Sequence, residues 1–216
     1  MNVKGKKILI IGTGKSGLAA ARLLLAVKAV PVLFDGNEKT DPEEVRKKLP
    51  EEAEVKILVG ELPQEELEEI SLAVFSPGVP VDTPFADRIR EQGIPIWGEV
   101  ELGYAFLKGR LIAITGTNGK TTTTALTGQI MRDYFESVFV VGNIGDPITA
   151  EVLKTREDSV TVAEISSFQL ETTVDFHPQV SAVLNITPDH LNRHHTMENY
   201  AAVKESITKN QTKEDT

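Results

Sequence analysis

Two short glycine-rich stretches constrain this sequence more than any other feature: Gly12-Thr13-Gly14-Lys15-Ser16-Gly17 and Thr115-Gly116-Thr117-Asn118-Gly119-Lys120-Thr121. Each follows a run of apolar, β-favouring residues, ending at Ile11 in one case and Ile114 in the other, and each opens into a segment of helical periodicity. A strand that turns through glycines straight into a helix gathers unpaired backbone amides at the positive end of the helix dipole. That is an anion site, and the chain carries two of them.

The surrounding pattern fits this reading. Apolar runs at Lys7–Ile11, Pro31–Phe34, Val55–Val59 and Leu72–Phe75 predict buried strands, separated by helical stretches at Gly17–Lys28, Pro42–Leu49, Gln64–Ile70 and Thr83–Gln92. A second series predicts strands at Leu111–Thr115, Val138–Val141, Ser159–Glu164 and Val180–Asn185, with a helix over Lys120–Tyr134. Strand–helix alternation specifies an α/β fold with parallel sheets. The stretch Gly93–Arg110 carries five Gly or Pro residues and reads as the break between a Rossmann-like domain at 1–97 and the first part of a P-loop-type ATPase domain at 98–216. Helical spacing resumes over Thr196–Gln211 and gives way to polar Thr212–Thr216, leaving the second domain only three or four strands. A fragment of a longer protein is therefore expected, with an unfinished sheet edge that favours self-association.

With 23 basic and 32 acidic side chains the net charge is −9, divided as −3 up to Trp97 and −6 beyond it. Neither half is a basic module, so no nucleic-acid partner is expected. The absence of cysteine excludes disulfides, thiolate metal sites and cysteine nucleophiles. The apolar run Ile8–Ile11 is too short for a signal peptide or a membrane span, which predicts a cytoplasmic protein with no membrane partner.

The first loop satisfies G-x-G-x-x-G between strand and helix, the context in which Gly14, Lys15 and Ser16 approach a diphosphate. Asp35 ends the second strand, where an acid accepts from a ribose hydroxyl, and the Ser76-Pro77-Gly78-Val79-Pro80 turn ends the fourth on the same sheet edge. A nicotinamide dinucleotide and a nucleotide-sugar both fit this motif. In the second loop Gly116, Thr117, Asn118 and Gly119 supply amides, Lys120 a point charge for the phosphates, and Thr121 with Thr122 the hydroxyls that open the helix. It is shorter than the usual G-x-x-x-x-G-K-[ST], since Ile114 stands where the first glycine belongs.

The segment Thr115–Thr121 resembles the ATP loop of the Mur ligases and their relatives, the folylpolyglutamate synthases. The likeness extends through Val141-Gly142-Asn143-Ile144-Gly145, Glu164-Ile165-Ser166-Ser167-Phe168-Gln169-Leu170-Glu171, and Asn185–Leu191 onward past Tyr200 to Lys204. It implies that ATP phosphorylates the alanyl carboxylate of UDP-N-acetylmuramoyl-L-alanine and that the amine of D-glutamate attacks the acyl phosphate, in peptidoglycan precursor synthesis. It implies two magnesium ions held by Thr121, Glu164, His190 and a carbamylated Lys204. Lys120, His190 and Lys204 become the catalytic candidates, and Asn143, Ser166 and Gln169 contacts to the muramoyl and alanyl parts. His177, His194 and His195 receive no catalytic role. The complete enzyme is expected to be a monomer, and the 216 residues alone to bind the UDP end with little or no turnover. The alternatives are another ligase of the same class, a nicotinamide-dependent oxidoreductase or sensor module, and a non-catalytic UDP-sugar-binding protein.

Overall fold

A computed structural model describes residues 2–216 and contains two all-parallel sheets. The first is built from β1 (Lys7–Ile11), β2 (Val30–Asp35), β3 (Lys56–Val59), β4 (Ile70–Phe75) and β5 (Ile96–Gly98), in the order β3-β2-β1-β4-β5. Its crossovers are α1 (Lys15–Ala26), α2 (Pro42–Arg46), α3 (Gln64–Leu67) and α4 (Pro84–Glu91). Strand residues alternate between faces. Leu9, Ile11, Val32, Phe34 and Phe75 pack toward Leu67, Ala86 and Ile89, whereas Ile8, Ile10, Leu33 and Val74 pack toward Ala20 and Leu24 of α1. Both faces are covered, so the strands read as continuous apolar runs.

After α5 (Glu99–Tyr104) the second sheet follows: β6 (Arg110–Thr115), β7 (Val138–Gly142), β8 (Val160–Glu164) and β9 (Val180–Val183), in the order β7-β8-β6-β9. Its helices are α6 (Lys120–Arg132), α7 (Ile148–Glu151), α8 (Ser167–Leu170), α9 (Leu191–His194) and α10 (Met197–Glu205). Ile114, Val160 and Val162 pack with Met131 and Phe135 on the α6 face. On the other face Leu111, Ala113, Val141 and Ala163 join the cluster that holds Ile8, Ile10 and Leu24 of the first sheet. One apolar core thus runs through both sheets, and α1, α5 and α7 pack on one another at the junction. Each side chain fully buried there stabilises the arrangement by about 1.5–3 kcal/mol.

The sequence pattern misses β5 and α5, which lie inside the predicted break. Three residues are too few for a periodicity, and the acids of α5 look solvent-facing but are buried. Glu101 accepts from the amides of Val174, Asp175 and Phe176 at 2.8, 2.8 and 3.1 Å, and Glu99 accepts from Thr149 through both amide and hydroxyl at 2.7 and 2.6 Å. Burial raises the pKa of Glu99. These carboxylates replace the hydrogen bonds that an isolated loop would seek from water. The tail helix is also shorter than predicted. Ser206 and Thr208 turn their hydroxyls back onto the carbonyls of Val203 and Glu205, and the chain tightens into a 3-10 turn over Ser206–Thr208. Beside β9, Thr216 bonds through its backbone to Gln179 and Ser181, so this sheet edge is partly covered. No helix among the described residues is long and apolar enough to cross a membrane.

Candidate functional site

In the first sheet the strand order reverses at β1, so the crevice lies where β1 and β4 end. The Ser76 amide donates to the Ile11 carbonyl at 2.9 Å, which sets the Ser76–Pro80 turn beside the Gly12–Gly17 loop. At Gly17 even a methyl group is excluded, because a Cβ there would fall on the Gly12 carbonyl oxygen. Gly14, by contrast, has open space before it and begins α1 without a side-chain cap, leaving the first-turn amides free.

A cleft of about 470 Å³ opens there and draws walls from both sheets. Of the residues expected to meet a UDP substrate, Gly14, Lys15, Ser16, Asp35, Ser76, Pro77, Gly78, Asn143 and Gln169 line it. Ser166 stands behind them. It caps α8, its hydroxyl accepting from the Gln169 amide at 3.3 Å while Gln169 Oε1 accepts from the Ser166 amide at 2.8 Å. Asp35 is already engaged with its own loop, accepting from the Thr13 hydroxyl at 2.5 Å and from the Asn37 amide at 3.1 Å. Lys15 crosses from the first loop to the second sheet, where its ammonium donates to the Gly145 carbonyl at 2.5 Å and pairs with Asp146 at 3.1 Å.

The second loop leaves β6, the strand at which the order of the other sheet reverses. Asn185 clamps it: its Oδ1 accepts from the Asn118 amide at 2.9 Å, its Nδ2 donates to the Asn118 carbonyl at 3.0 Å, and its own carbonyl accepts from the Thr117 amide at 3.0 Å. Gly119 caps α6 at φ +84°, a conformation that costs a side-chain residue about 1 kcal/mol or more. No side chain caps this helix, so its amides are free for an anion. Lys120 donates to the Thr117 carbonyl at 2.8 Å, and Thr121 and Thr122 are exposed on the first turn.

Three more candidates surround the loop. Glu164, at the end of β8, is buried; Oε1 accepts from Asn143 at 2.7 Å and Oε2 has no hydrogen-bond partner. A buried carboxylate oxygen without a partner is costly, and a cation at that position would satisfy it. Lys204, on α10, is buried and donates to the Gly116 carbonyl at 2.8 Å. Desolvation, with a smaller contribution from the Lys120 charge, lowers its pKa to about 8. His190 sits at φ +51°, half exposed, with its ring 4.8 Å from that of Phe168. Among the described residues no three His, Asp or Glu side chains converge on one point.

Two family profiles match this chain: the Mur ligase MurD-like N-terminal domain over residues 6–98 and the Mur ligase middle domain over residues 114–216. The chain belongs to the Mur ligase family. Among curated Mur ligases, it is 59% identical over all 216 residues to a protein of Lachnospira eligens named UDP-N-acetylmuramoylalanine--D-glutamate ligase, and 57% identical to one of the same name from Lachnoclostridium phytofermentans. All of the chain aligns with 48% of each, so it spans about half the length of the curated relatives it matches. Among solved structures, UDP-N-acetylmuramate-alanine ligase MurC from Thermotoga maritima shares the fold, with a TM-score of 0.54 and 23% identity over 94% of this chain and 47% of that one.

Within the Mur ligase frame, several residues near the loops had no assigned role in the sequence. Asn185 clamps the phosphate loop, and Tyr200 contributes a hydroxyl 3.2 Å from that of Thr117. Arg193 and His194 are largely buried around Glu171. A strand-end asparagine and an Arg-His pair on a short helix carry no periodic signal, and only the fold gives them neighbours.

Proposed function

We propose that residues 1–97 form the substrate cleft, and residues 98–216 the phosphate loop, of an ATP-dependent ligase that joins D-glutamate to UDP-N-acetylmuramoyl-L-alanine in the cytoplasm. The observation that carries this reading is the composite cleft. The first glycine loop and the Ser76–Gly78 turn face Asn143 and Gln169, and Asn143 is bonded in turn to the partly unsatisfied Glu164. A nucleotide-sugar held by the first loop would extend its acyl end toward the second. A simple dinucleotide-binding module needs no such continuation.

The chemistry follows from that placement. A carboxylate is a poor electrophile, and transfer of the ATP γ-phosphoryl group to the alanyl carboxylate gives it a leaving group. The D-glutamate amine then attacks the acyl carbon, the C–N bond forms and phosphate departs. The amides of the Gly116–Lys120 loop and the Lys120 ammonium hold and neutralise the transferring phosphoryl group. Magnesium, when bound, would offset polyphosphate charge, with Glu164, Thr121, His190 and a carbamate on Lys204 as its ligands. For Lys204 to become that carbamate, its neutral amine adds to carbon dioxide and releases one proton, and a pKa of about 8 makes the neutral form accessible.

Calorimetric titration of the 216-residue chain with UDP-N-acetylmuramoyl-L-alanine, with NADH in parallel, tests the reading. Binding of the UDP compound and silence toward NADH support it. Saturable NADH binding without a UDP response overturns it. The 216 residues alone are expected to bind without forming amide, and measurable ligase turnover by them would contradict that division of labour.

A further inference from the structure

Between the substrate turn and α9 lies a compact group of largely buried side chains that the mechanism above does not use. Arg193 is at its centre and its side chain is 12% exposed. Its guanidinium pairs with Glu171, Nη2 to Oε2 at 2.5 Å and Nε to Oε2 at 3.2 Å. The same Nη2 donates to the Val79 carbonyl of the substrate turn at 3.3 Å. The guanidinium also lies over the Phe168 ring at 4.8 Å, and that ring is 4.8 Å from the His190 ring and 5.6 Å from the His194 ring.

The planar fork of arginine suits this position. It can hold a carboxylate, a carbonyl and an aromatic face at once, whereas lysine offers a single point of charge. The paths leading away from it are also continuous. Val79 belongs to the turn that lines the UDP cleft. His194 reaches Ser167 at 2.9 Å and lies 5.2 Å ring to ring from Tyr200, whose hydroxyl meets Thr117 of the phosphate loop at 3.2 Å. Glu171 follows α8, the helix that carries Gln169 into the cleft.

We propose that Arg193, paired with Glu171, is a positioning residue that clasps the Ser76–Pro80 turn to α9, so that occupation of the UDP cleft orders the segment bearing His190 beside the phosphate loop. The clasp touches neither ligand and acts through the turn and through Phe168. This inference rests on the reading of the first cleft as a UDP site.

Amide hydrogen exchange on the 216-residue chain, with and without saturating UDP as the probe, tests it directly. In the parent chain UDP should slow exchange at 76–79 and also at 191–195, by about fivefold or more at the second segment. In Arg193→Ala the slowing at 76–79 should remain while that at 191–195 disappears. Arg193→Lys keeps a charge for Glu171 but lacks the second donor arm; it should melt within a few degrees of the parent and still lose the transmitted protection. A merely structural arginine would give the opposite result, with lysine restoring both. Protection at 191–195 that survives in either variant, or that is missing from the parent while 76–79 responds, overturns the clasp alone. No protection at either segment overturns the UDP reading and the clasp with it.

Discussion

Both glycine loops leave a parallel strand at the point where its sheet reverses order, and both present uncapped amides at a helix N-terminus, but they differ in where positive charge is kept. The first loop relies on backbone. Its one lysine, Lys15, is two-thirds exposed and turned across the cleft to Gly145 and Asp146. The second loop has the Lys120 ammonium folded onto its own Thr117 carbonyl, a cation within the loop's own hydrogen bonding, and the buried Lys204 amine rests on the Gly116 carbonyl beside it. A diphosphate that is only held needs amides and space. A phosphoryl group that is transferred gathers charge in the transition state, and fixed cations lower that barrier.

The largest expected effect follows from this difference. In the complete ligase proposed above, Lys120→Ala should reduce amide formation by about 10²–10³-fold, the range seen when a preorganised charge donor is lost. UDP binding should change less than twofold. Phosphate release and calorimetry measure the two arms, and a matching loss of UDP affinity would mean that the loops do not divide binding and transfer between them.

A second contrast concerns space. At Gly17 a Cβ would overlap the Gly12 carbonyl, so Gly17→Ala should cost about 2–3 kcal/mol of stability by overpacking. At Gly14 nothing lies within 4 Å, and Gly14→Ala should melt close to the parent. The same methyl would stand where a diphosphate approaches, and UDP affinity should fall about tenfold. If Gly14→Ala binds UDP normally, the first loop does not work through close backbone approach.

Lys204 sharpens the other side of the comparison. Its pKa is about 8 in the folded chain against an ordinary 10.5, so between those values the unfolded chain holds a proton that the folded chain lacks. Stability relative to Lys204→Met should therefore rise as pH increases from about 8 to 10.5, by roughly 2 kcal/mol in carbon-dioxide-free buffer, and stay flat below 8. Guanidinium denaturation across that range measures it. With ¹³C-labelled bicarbonate at pH 8, a carbamate carbonyl signal should appear in the parent and be absent from Lys204→Met. A pH-independent difference would show that the amine is not held neutral by its surroundings.

How legible these features were depended on whether they were local. The strand–glycine–helix junctions were visible because apolar runs and glycines adjoin in the chain, and so were the loop residues from Gly116 to Thr122. Glu164 and Lys204 stand out in the sequence only through the family likeness, since a strand-end acid and a helix lysine look solvated until burial and an unpartnered oxygen mark them. The acids of α5 were misleading for the same reason. Glu101 sits 73 to 75 residues from the three amides it satisfies, a separation that no periodicity reveals. Ser166 and Gln169 could be read either as a cap or as substrate contacts; in the structure they form a capping box through Gln169 Oε1 and its backbone amide, and Gln169 also lines the cleft.

The smallest expected effect bears most directly on the comparison. Lys15 occupies a position in the first loop from which a cation could serve a diphosphate in the way proposed for Lys120 and ATP. Its ammonium is instead engaged by Gly145 and Asp146, and the side chains of Lys15 and Asp146 are each more than half exposed. Exposed pairs of this kind contribute between nothing and about 1 kcal/mol, and salt screens them. Lys15→Ala should therefore weaken UDP binding no more than about threefold at low ionic strength, and the difference should vanish near 0.5 M salt, where charges interact only over a few ångströms. Lys120→Ala, acting at a phosphoryl group shielded by the loop, should keep its full effect at that salt concentration. A Lys15→Ala loss that is large and resistant to salt would make the first loop a charge-dependent site like the second, and the contrast between holding and transferring would then have to rest on the proposed metal ligands Glu164 and Lys204 alone.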